Sequence, residues 1–421
     1  MNEKLPIWDI HGEITDSLAI QNCLVLGAPT GSGKSTQVPQ MIFDDVLSDK
    51  QKVIVLQPRR VAARSLARRV ACERSTSLGK GVGYQVRFEN HTTPTTMIEF
   101  ITEGVLLRRL QHDPELKEVG AVLFDEFHER NLMSDLALGL IKKLQKTKRK
   151  ELKIVIMSAT IQKGSVASYL GPYPDTSCPT LNSEGRTFPV DIHFGKYRNL
   201  DPVTEQAAEV VALILHNGSP GDILIFMPGM AEIRSTIGAL ARKRLPEPID
   251  LIPLHGELPS TEQDRAFNFS KHRKIIVATN VAETSVTIEG ICHVIDSGLA
   301  RVSRFDNERG FGTLLIEEIS RASADQRAGR AGRTKPGTCH RLWTESGHLN
   351  RPEYNTPEIH RKDLAEAILM LHSAGINKAS SFDWIEKPDT SAVETAEKLL
   401  HSLGALTKRT SNNCFRLTEI G

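Results

Sequence analysis

The sequence is poor in several features that would fix its class at once. It has only six cysteines in 421 residues, and they are scattered without a Cys-x-x-Cys pair. That distribution argues against a structural zinc site and a disulfide framework, and it favours a reducing compartment. The formal net charge is only +2, so a case for nucleic-acid binding must come from local clusters.

Long apolar runs are also missing. The amino-terminal stretch MNEKLPIWDIHGE has no apolar core of signal-peptide length, and no run approaches the length of a membrane span. We therefore expect a cytoplasmic protein. A chain of 421 residues is too long for one typical hydrophobic core, so two or three domains are expected.

Short apolar segments alternate with helical patterns along most of the chain. The first half contains NCLVL, KVIVL, MIEFI, AVLF and KIVIM, and the second contains DILIFM, DLIPLHG, KIIVATN, HVIDSG and TCHRLWT. Apolar strands that alternate with helices indicate parallel sheets covered on both faces. The polar, glycine-containing stretch 182–195 separates the two series. The sequence thus predicts two consecutive α/β domains with a linker between them, and such sheets bind ligands at the carboxyl ends of their strands.

The pattern becomes helical from about residue 350. IHRKDLAEAILMLHSAG and DTSAVETAEKLLHSLGAL have apolar residues at helical spacing, and FRLTEIG follows as a strand-like segment. This arrangement resembles a winged-helix module. The predicted domains are therefore 1–183, 184–348 and 349–421.

The segment GAPTGSGKST at 27–36 follows an apolar strand and leads into a helical pattern, the context expected of a phosphate-binding loop. Its glycines let the backbone wrap closely around phosphates. Lys34 would supply a point charge for the β and γ phosphates, and the Ser35 hydroxyl would be a Mg²⁺ ligand. A glycine-rich turn without a ligand is the alternative, and Ala28 departs from the strict pattern. The predicted nucleotide-binding residues are Thr30, Gly31, Ser32, Gly33, Lys34, Ser35 and Thr36.

The segment FDEFHER at 124–130 places two carboxylates at the end of a buried strand, where they need a cationic partner. We predict that Asp125 holds Mg²⁺, and that Glu126 lies at the metal and deprotonates the water that attacks the γ-phosphate. A lone histidine is more often a packed residue than a catalyst, so His128 is predicted to couple the two domains. Two hydroxyls of the segment SAT are given the same coupling role: Ser158 and Thr160.

The segment QRAGRAGR at 326–333 repeats arginine every third residue. A solvated basic helix face is the alternative, but glycines at 329 and 332 disfavour a helix interior by about 1 kcal/mol each. We predict that Arg330 and Arg333 act as arginine fingers on the γ-phosphate, with Gln326 on the phosphate or its water.

The order of these motifs resembles that of the superfamily 2 helicases of the DEAH/RHA group. The chain runs GAPTGSGKST, QPRRVAARSLARRVA, TEGVLLR, DEFHER, SAT, FMPG, TNVAETSVTI and QRAGRAGR. DEFH, APTGSGKST and SEGRTFPV look most like the bacterial HrpB type of DEAH-box RNA helicase. The resemblance covers nearly the whole chain. It implies an α/β fold of two tandem RecA-like P-loop NTPase domains followed by a small winged-helix module, with ATP between the two domains.

The resemblance also implies roles for residues that the patterns alone do not assign. The nucleic-acid backbone would be contacted by Arg59, Arg60, Thr102, Gly229, Thr279 and Asn280. The water shell of the metal and the ribose would be reached by Thr287 and Glu289. The adenine would lie between Arg69 and Phe267.

The expected activity is RNA-stimulated hydrolysis of ATP with Mg²⁺, coupled to 3′–5′ movement on single-stranded RNA and to strand displacement by a monomer. The direction of movement rests on the family alone. A DNA helicase or translocase with the same motor stays open, as does an ATPase that remodels a protein partner. Family members usually continue into a helical ratchet domain, whereas this sequence stops at Gly421, so processive unwinding stays in question.

Overall fold

The computed structural model describes residues 5–48, 51–159, 165–171, 177–185, 188–196, 200–283, 288–307, 309–333, 335–407 and 415–421. The chain forms two compact units. The first comprises Met1–Gly185, Ser303–Thr313 and Thr356–Gly421, and the second comprises Arg186–Val302 and Leu314–Asn355. No helix among the described residues has both the length and the apolar character needed to cross a bilayer.

An eight-stranded sheet forms the centre of the first unit. Its strands are β1 Cys23–Gly27, β2 Lys52–Leu56, β3 Gly81–Val86, β4 Glu89–His91, β5 Thr96–Ile101, β6 Val119–Phe124, β7 Lys153–Ser158 and β8 Thr180–Asn182. Their order is β4-β3-β5-β2-β6-β7-β1-β8, and every pairing is parallel except that of β3 with β4. All five strands predicted for the first half are confirmed.

Helices cover both faces of this sheet. They are α1 His11–Ile20, α2 Lys34–Met41, α3 Arg60–Glu73, α4 Glu103–His112, α5 Leu132–Thr147 and α6 Ser165–Leu170. Successive residues of a strand point to opposite faces, so Cys23 and Val25 of β1 enter one hydrophobic cluster while Leu24 and Leu26 enter the other. The continuous apolar runs of the sequence follow from this burial on both faces.

The second unit contains a six-stranded sheet, and the residues of a further pair of strands are divided between the two units. The strands are β9 Val190–Phe194, β10 Asp222–Phe226, β11 Ile249–Leu254, β12 Arg273–Ala278, β13 Ile291–Asp296, β14 Leu299–Asp306, β15 Phe311–Glu318 and β16 Gly337–Arg341. The sheet order is β11-β12-β10-β13-β16-β9, all parallel, and β14 pairs with β15. The five predicted strands are confirmed. The predicted linker is partly wrong, because 190–194 pairs with β16 as an edge strand.

The helices of the second unit are α7 Val203–His216, α8 Met230–Ala241, α9 Ser260–Asp264, α10 Arg321–Ala328 and α11 Glu345–Leu349. The carboxyl-terminal part of the chain adds α12 Ala365–Ser373 and α13 Thr390–Ser402 to the first unit. Apolar residues of these two helices, among them Ile368 and Leu400, share one hydrophobic cluster with α4 and α5. An isolated antiparallel bridge joins Leu406 to Leu417.

Candidate active site

The glycine-rich loop folds between the first strand and the second helix. β1 ends at Gly27, and α2 begins at Lys34. Gly31 has a φ of 89° and Gly33 a φ of 94°, a left-handed region that glycine adopts without the strain other residues meet. A Cβ atom at position 33 would lie 2.9 Å from Cδ1 of Leu5. The two glycines therefore let the chain turn sharply into the helix, with Lys34 as its first residue.

The turn leaves backbone donors at the amino end of α2. The amides of Gly31, Gly33 and Ser35 have no hydrogen-bond acceptor in the part of the chain that the structure describes. Such donors, together with the positive end of the helix dipole, favour an anion. The other predicted residues lie in or beside the same turn: Thr30, Ser32 and Thr36.

The acidic pair reaches the loop through the order of the strands. Asp125 and Glu126 follow β6 directly, and both side chains are buried. β6 pairs with β7, and β7 pairs with β1, so the carboxyl ends of these parallel strands lie at one edge of the sheet. Nζ of Lys34 lies 3.5 Å from Oε1 of Glu126. The loop lysine thus forms an ion pair with the second carboxylate of the acidic pair.

Asp125 accepts a hydrogen bond on each of its carboxylate oxygens. Nε2 of Gln57 donates to its Oδ2 at 2.7 Å, and the amide of Glu126 donates to its Oδ1 at 2.9 Å. Burial, together with the neighbouring charge of Glu126, raises the pKa of Asp125. The Lys34 ammonium and the Ser35 hydroxyl act in the opposite direction. A carboxylate that is costly to keep charged when buried is suited to an additional cation.

His128 lies between the acidic pair and the next strand end. Its Nδ1 is 3.6 Å from Oε2 of Glu126 and accepts a hydrogen bond of 3.5 Å from the amide of Ala159. Its Nε2 is buried and has no hydrogen-bond partner among the described residues. Ser158 ends β7 and is buried. Thr160 lies outside the described residues.

Three predicted nucleic-acid contacts lie at the same edge of the first sheet. Arg59 comes three residues after β2, and its Nη2 forms an ion pair of 3.0 Å with Glu129. Arg60 is the exposed first residue of α3, and Thr102 follows β5. Because β5, β2 and β6 are neighbours, these side chains and the acidic pair follow adjacent strand ends. The structure therefore brings them together.

The second unit repeats this arrangement at its own sheet. Gly229 follows β10 and precedes α8, and a Cβ atom there would lie 2.5 Å from Nε of Arg301. Thr279 and Asn280 follow β12, the neighbour of β10. Thr279 is buried, whereas Asn280 is exposed. These predicted contacts thus also follow adjacent strand ends.

The residues assigned to the nucleoside are less tightly held. Arg69 is on α3, largely exposed, and its Nε forms an ion pair of 2.7 Å with Glu73. Phe267 is half-buried just after α9, in the second unit. Glu289 is exposed in the turn that precedes β13. Thr287 lies outside the described residues.

The arginine-rich motif separates into residues with different environments. α10 ends at Ala328, so the three arginines do not share one helix. Arg327 is completely buried, and its guanidinium forms ion pairs of 2.9 Å with Glu283 and 2.8 Å with Asp296. This arginine therefore joins three segments of the second unit.

The two predicted arginine fingers lie beyond that helix. Arg330 is buried and donates from Nε to the carbonyl oxygen of Glu283 at 2.8 Å. Arg333 and Gln326 are half-buried. All of these contacts lie within the second unit.

Comparison of the sequence with known proteins identifies the family of the chain. Residues 9–168 match the DEAD/DEAH box helicase family, and residues 205–335 match the helicase conserved C-terminal domain. The chain belongs to the DEAD/DEAH box helicase family.

Individual relatives of the chain agree with this family. The chain is 38% identical to the ATP-dependent RNA helicase HrpA of Escherichia coli, over 100% of this chain and 32% of that protein. It is 39% identical to the HrpA of Borreliella burgdorferi, over 100% of this chain and 50% of that protein. The chain thus spans between about a third and a half of the length of these two curated relatives.

Solved structures extend the likeness to the fold. The crystal structure of the Escherichia coli DEAH/RHA helicase HrpB matches with a TM-score of 0.89 at 37% identity, over 99% of this chain and 52% of that one. A second crystal structure, of the E. coli DExH-box NTPase HrpB, matches with a TM-score of 0.84 at 36% identity, over 100% of this chain and 50% of that one. The prediction of two tandem RecA-like domains in a DEAH-type helicase is confirmed.

Sequence reasoning missed several polar residues that complete the helicase site. Gln57 binds Asp125, and its signal is a polar residue placed directly after an apolar strand. Arg130 closes the FDEFHER segment and is buried, although its position in the sequence resembles a surface loop. Arg327 belongs to a motif that the sequence does single out, but nothing in the sequence shows that it is more buried than Arg333.

The residues fit the magnesium ion that such helicases use. No group of three or more histidine, cysteine or acidic side chains suited to a metal occurs among the described residues. Mg²⁺ characteristically takes one or two carboxylates and completes its shell with water and substrate phosphates. The Ser35 hydroxyl acts to lower the pKa of the buried carboxylate of Asp125, next to Glu126, so a hydroxyl and two carboxylates lie close together.

Proposed function

We propose that the chain contains the motor of an ATP-dependent RNA helicase, which hydrolyses ATP to ADP and phosphate. The observation that carries the proposal is the 3.5 Å approach of Lys34 Nζ to Glu126 Oε1, beside the amides of the glycine-rich loop that have no acceptor among the described residues. A buried lysine and a helix amino terminus supply positive charge for phosphates. Glu126 supplies a base at the same place.

Each residue then has a chemical task in the first unit. The amides of the loop and the Lys34 ammonium bind the β and γ phosphates. Glu126 orients the attacking water and accepts its proton. Mg²⁺, held by Ser35 and Asp125 near Glu126, would neutralise charge on the phosphate oxygens.

The second unit is proposed to complete the reaction. We assign Arg330 and Arg333 to the charge that develops on the γ-phosphate, with Gln326 on the phosphate or the water. In the present structure the guanidinium of Arg330 donates a hydrogen bond to the carbonyl oxygen of Glu283. To act as an arginine finger, Arg330 must exchange this hydrogen bond for one to the γ-phosphate. His128, Ser158 and Thr160 are assigned to coupling between the domains, which the unpartnered Nε2 of His128 supports.

RNA is the proposed track. The relatives named above are RNA helicases, and the predicted backbone contacts follow adjacent strand ends in each sheet. Contacts to phosphates position a strand without reading its sequence. We infer 3′–5′ movement along single-stranded RNA with displacement of a paired strand, and we place the adenine between Arg69 and Phe267.

The remaining expectations stay proposals. We infer domains at 1–183, 184–348 and 349–421, the last of them a small winged-helix module. Two helices and the antiparallel bridge between Leu406 and Leu417 support that module. We also propose a cytoplasmic protein, which the five described cysteines, all free, support.

The test compares ATP hydrolysis by the wild type and by Glu126→Gln, with and without single-stranded RNA. We expect RNA to stimulate the wild type. We expect turnover to fall by roughly 10³-fold in the variant, the scale of removing a group that acts on the reacting water, while nucleotide binding persists. Near-normal turnover of Glu126→Gln would show that the general base is wrongly assigned.

RNA and DNA oligonucleotides of the same sequence and length show which nucleic acid is the substrate. Equal or greater stimulation by DNA of the same sequence and length would favour a DNA helicase or translocase, because RNA preference needs contacts to the 2′-hydroxyl. Robust hydrolysis without displacement of a labelled strand, together with a stable protein partner, would favour a remodelling ATPase.

A further inference from the structure

The loop that carries the acidic pair is held in an unusual backbone conformation. Glu126 has φ and ψ of 52° and 36°, and Arg130 has 48° and 50°. Both lie in the left-handed region, which non-glycine residues adopt only when their surroundings impose it. The short 3-10 turn Phe127–Glu129 lies between them. Contacts from neighbouring residues must therefore hold both ends of this turn.

Side-chain contacts hold the far end of the turn. The Arg130 side chain is 5% exposed, and its guanidinium donates to both carboxylate oxygens of Asp135, at 3.1 and 2.9 Å. Its Nη1 donates to Oε1 of Glu386 at 2.7 Å. Burial opposes the charge of the guanidinium, but the two carboxylates prevail and raise the pKa of Arg130. The arginine is thus fixed by one partner on α5 and one from the carboxyl-terminal part of the chain.

Backbone contacts from the same part of the chain hold the following residues. The amide of Glu358 donates to the carbonyl oxygen of Arg130 at 3.1 Å. The carboxylate of Glu358 accepts from the amide of Leu132 at 3.0 Å, at the start of α5. Residues 130–132 are therefore held by residues 358 and 386, which are distant in sequence.

These contacts act close to the catalytic base. Arg130 is four residues beyond Glu126, and the turn between them is compact. The amide of Glu129 donates to the carbonyl oxygen of Glu126 at 3.0 Å, and the amide of Arg130 donates to that of Phe127 at 3.1 Å. We therefore expect a change at Arg130 to alter the backbone angles that orient the Glu126 carboxylate. Reaction rates are sensitive to such displacements, since a 1 Å error in placement can cost about 10²-fold.

We propose that Arg130 is a positioning residue, locked by Glu386 and Glu358, that fixes Glu126 for hydrolysis, so that these two residues of the carboxyl-terminal segment 356–386 act on the catalytic site. The proposal rests on the proposed ATPase function. It predicts that weakening the Arg130 anchor lowers kcat and leaves KM for ATP little changed, because the Lys34 loop still binds the phosphates.

The plainer alternative is that these ion pairs only attach the segment to α5. The structure provides a matched comparison for that alternative. Nζ of Lys142 on α5 forms a 2.7 Å ion pair with Asp383, three residues before Glu386. Each pair joins a buried cation to a carboxylate of the same segment, but only one of them holds the FDEFHER turn.

The experiment measures steady-state ATP hydrolysis of the full chain with single-stranded RNA for wild type, Glu386→Gln and Asp383→Asn, with thermal unfolding of each. We expect Glu386→Gln to lower kcat roughly tenfold. This loss is smaller than the cost of about 10²-fold for a 1 Å displacement of the catalytic base, because the contact of Arg130 with Asp135 remains. KM for ATP should change by less than about twofold, as expected when an interaction specific to the transition state is lost. Asp383→Asn should retain the kcat of the wild type at a similar thermal midpoint.

Arg130→Lys extends the test by keeping the charge while losing the planar fork. We expect a larger loss of kcat than in Glu386→Gln, and if this variant does not fold, the comparison of the two carboxylates still decides. Equal losses in Glu386→Gln and Asp383→Asn that follow their loss of stability would overturn the proposal. So would an unchanged kcat in Glu386→Gln. An inactive wild type that binds nucleotide would instead refute the ATPase function itself.

Discussion

The ammonium group of Lys34 lies 3.5 Å from the carboxylate of Glu126, and the two side chains are 4% and 2% exposed. A charge buried to this degree needs a partner, and breaking such a pair leaves the other charge uncompensated. The pair therefore stabilises the folded protein without nucleotide. In the proposed reaction the same lysine binds phosphate.

Lys34→Met should abolish measurable ATP binding and also lower stability, because Asp125 and Glu126 lose their nearby cation. Adding Glu126→Gln to Lys34→Met should recover part of the lost stability, since one buried carboxylate becomes neutral. It should recover no activity. Fluorescent-nucleotide titration and thermal unfolding of the two single variants and the double variant measure both effects. Strictly additive changes in stability would contradict the direct interaction.

Gly33→Ala should lower the thermal stability of the protein more than Gly31→Ala. Both positions have positive φ, which costs a non-glycine residue about 1–2 kcal/mol. Only at position 33 would the new Cβ also approach a side chain, Cδ1 of Leu5 at 2.9 Å, whereas position 31 faces open space. Thermal midpoints of the two variants without nucleotide measure the difference. Equal midpoints would mean that Leu5 moves aside freely.

Glu103 should make stability depend on pH. Burial, with a smaller contribution from nearby Glu129 and Glu358, raises the pKa of Glu103 to about 7, although the hydrogen bond that Ser134 donates to it acts in the opposite direction. The folded state therefore keeps a proton that the unfolded state releases above about pH 4.5. The contribution of this group is most favourable below pH 4.5 and is lost progressively as the pH rises to about 7.

Glu103→Gln removes that titration. The variant should gain thermal stability relative to the wild type between pH 5 and pH 8, because only the wild type then buries a carboxylate. Thermal unfolding of both proteins across this range measures the relative shift. A difference in midpoint that does not change with pH would contradict the raised pKa.

Arg327→Met should destabilise the second unit by about 3–5 kcal/mol, the typical cost of removing one partner from a buried ion pair. It leaves the carboxylates of Asp296 and Glu283 without the guanidinium that joins them. Arg327→Lys should cost less, because the charge remains while the fork geometry is lost. Calorimetric unfolding compares the two variants. A milder effect for Met than for Lys would show that the charges are not mutually required.

The strands and the phosphate site were predictable because their signals are local. An apolar run such as KVIVL specifies a strand buried on both faces, and GSGK specifies a turn that needs left-handed glycines. The edge strand Val190–Phe194 was missed because its side chains are mostly exposed, so it lacks the apolar run that identifies its neighbours. Exposure at an edge removes the periodic signal without removing the backbone pairing.

The sequence by itself determined the two α/β units, the glycine-rich loop and the acidic pair, because each depends on residues within a few positions of one another. The tertiary structure alone decided which charges meet. Arg130 contacts Glu386, 256 positions away, and Arg327 contacts Glu283, 44 positions away. Such pairings depend on how distant segments pack into one core, and no local pattern of residue types encodes that choice.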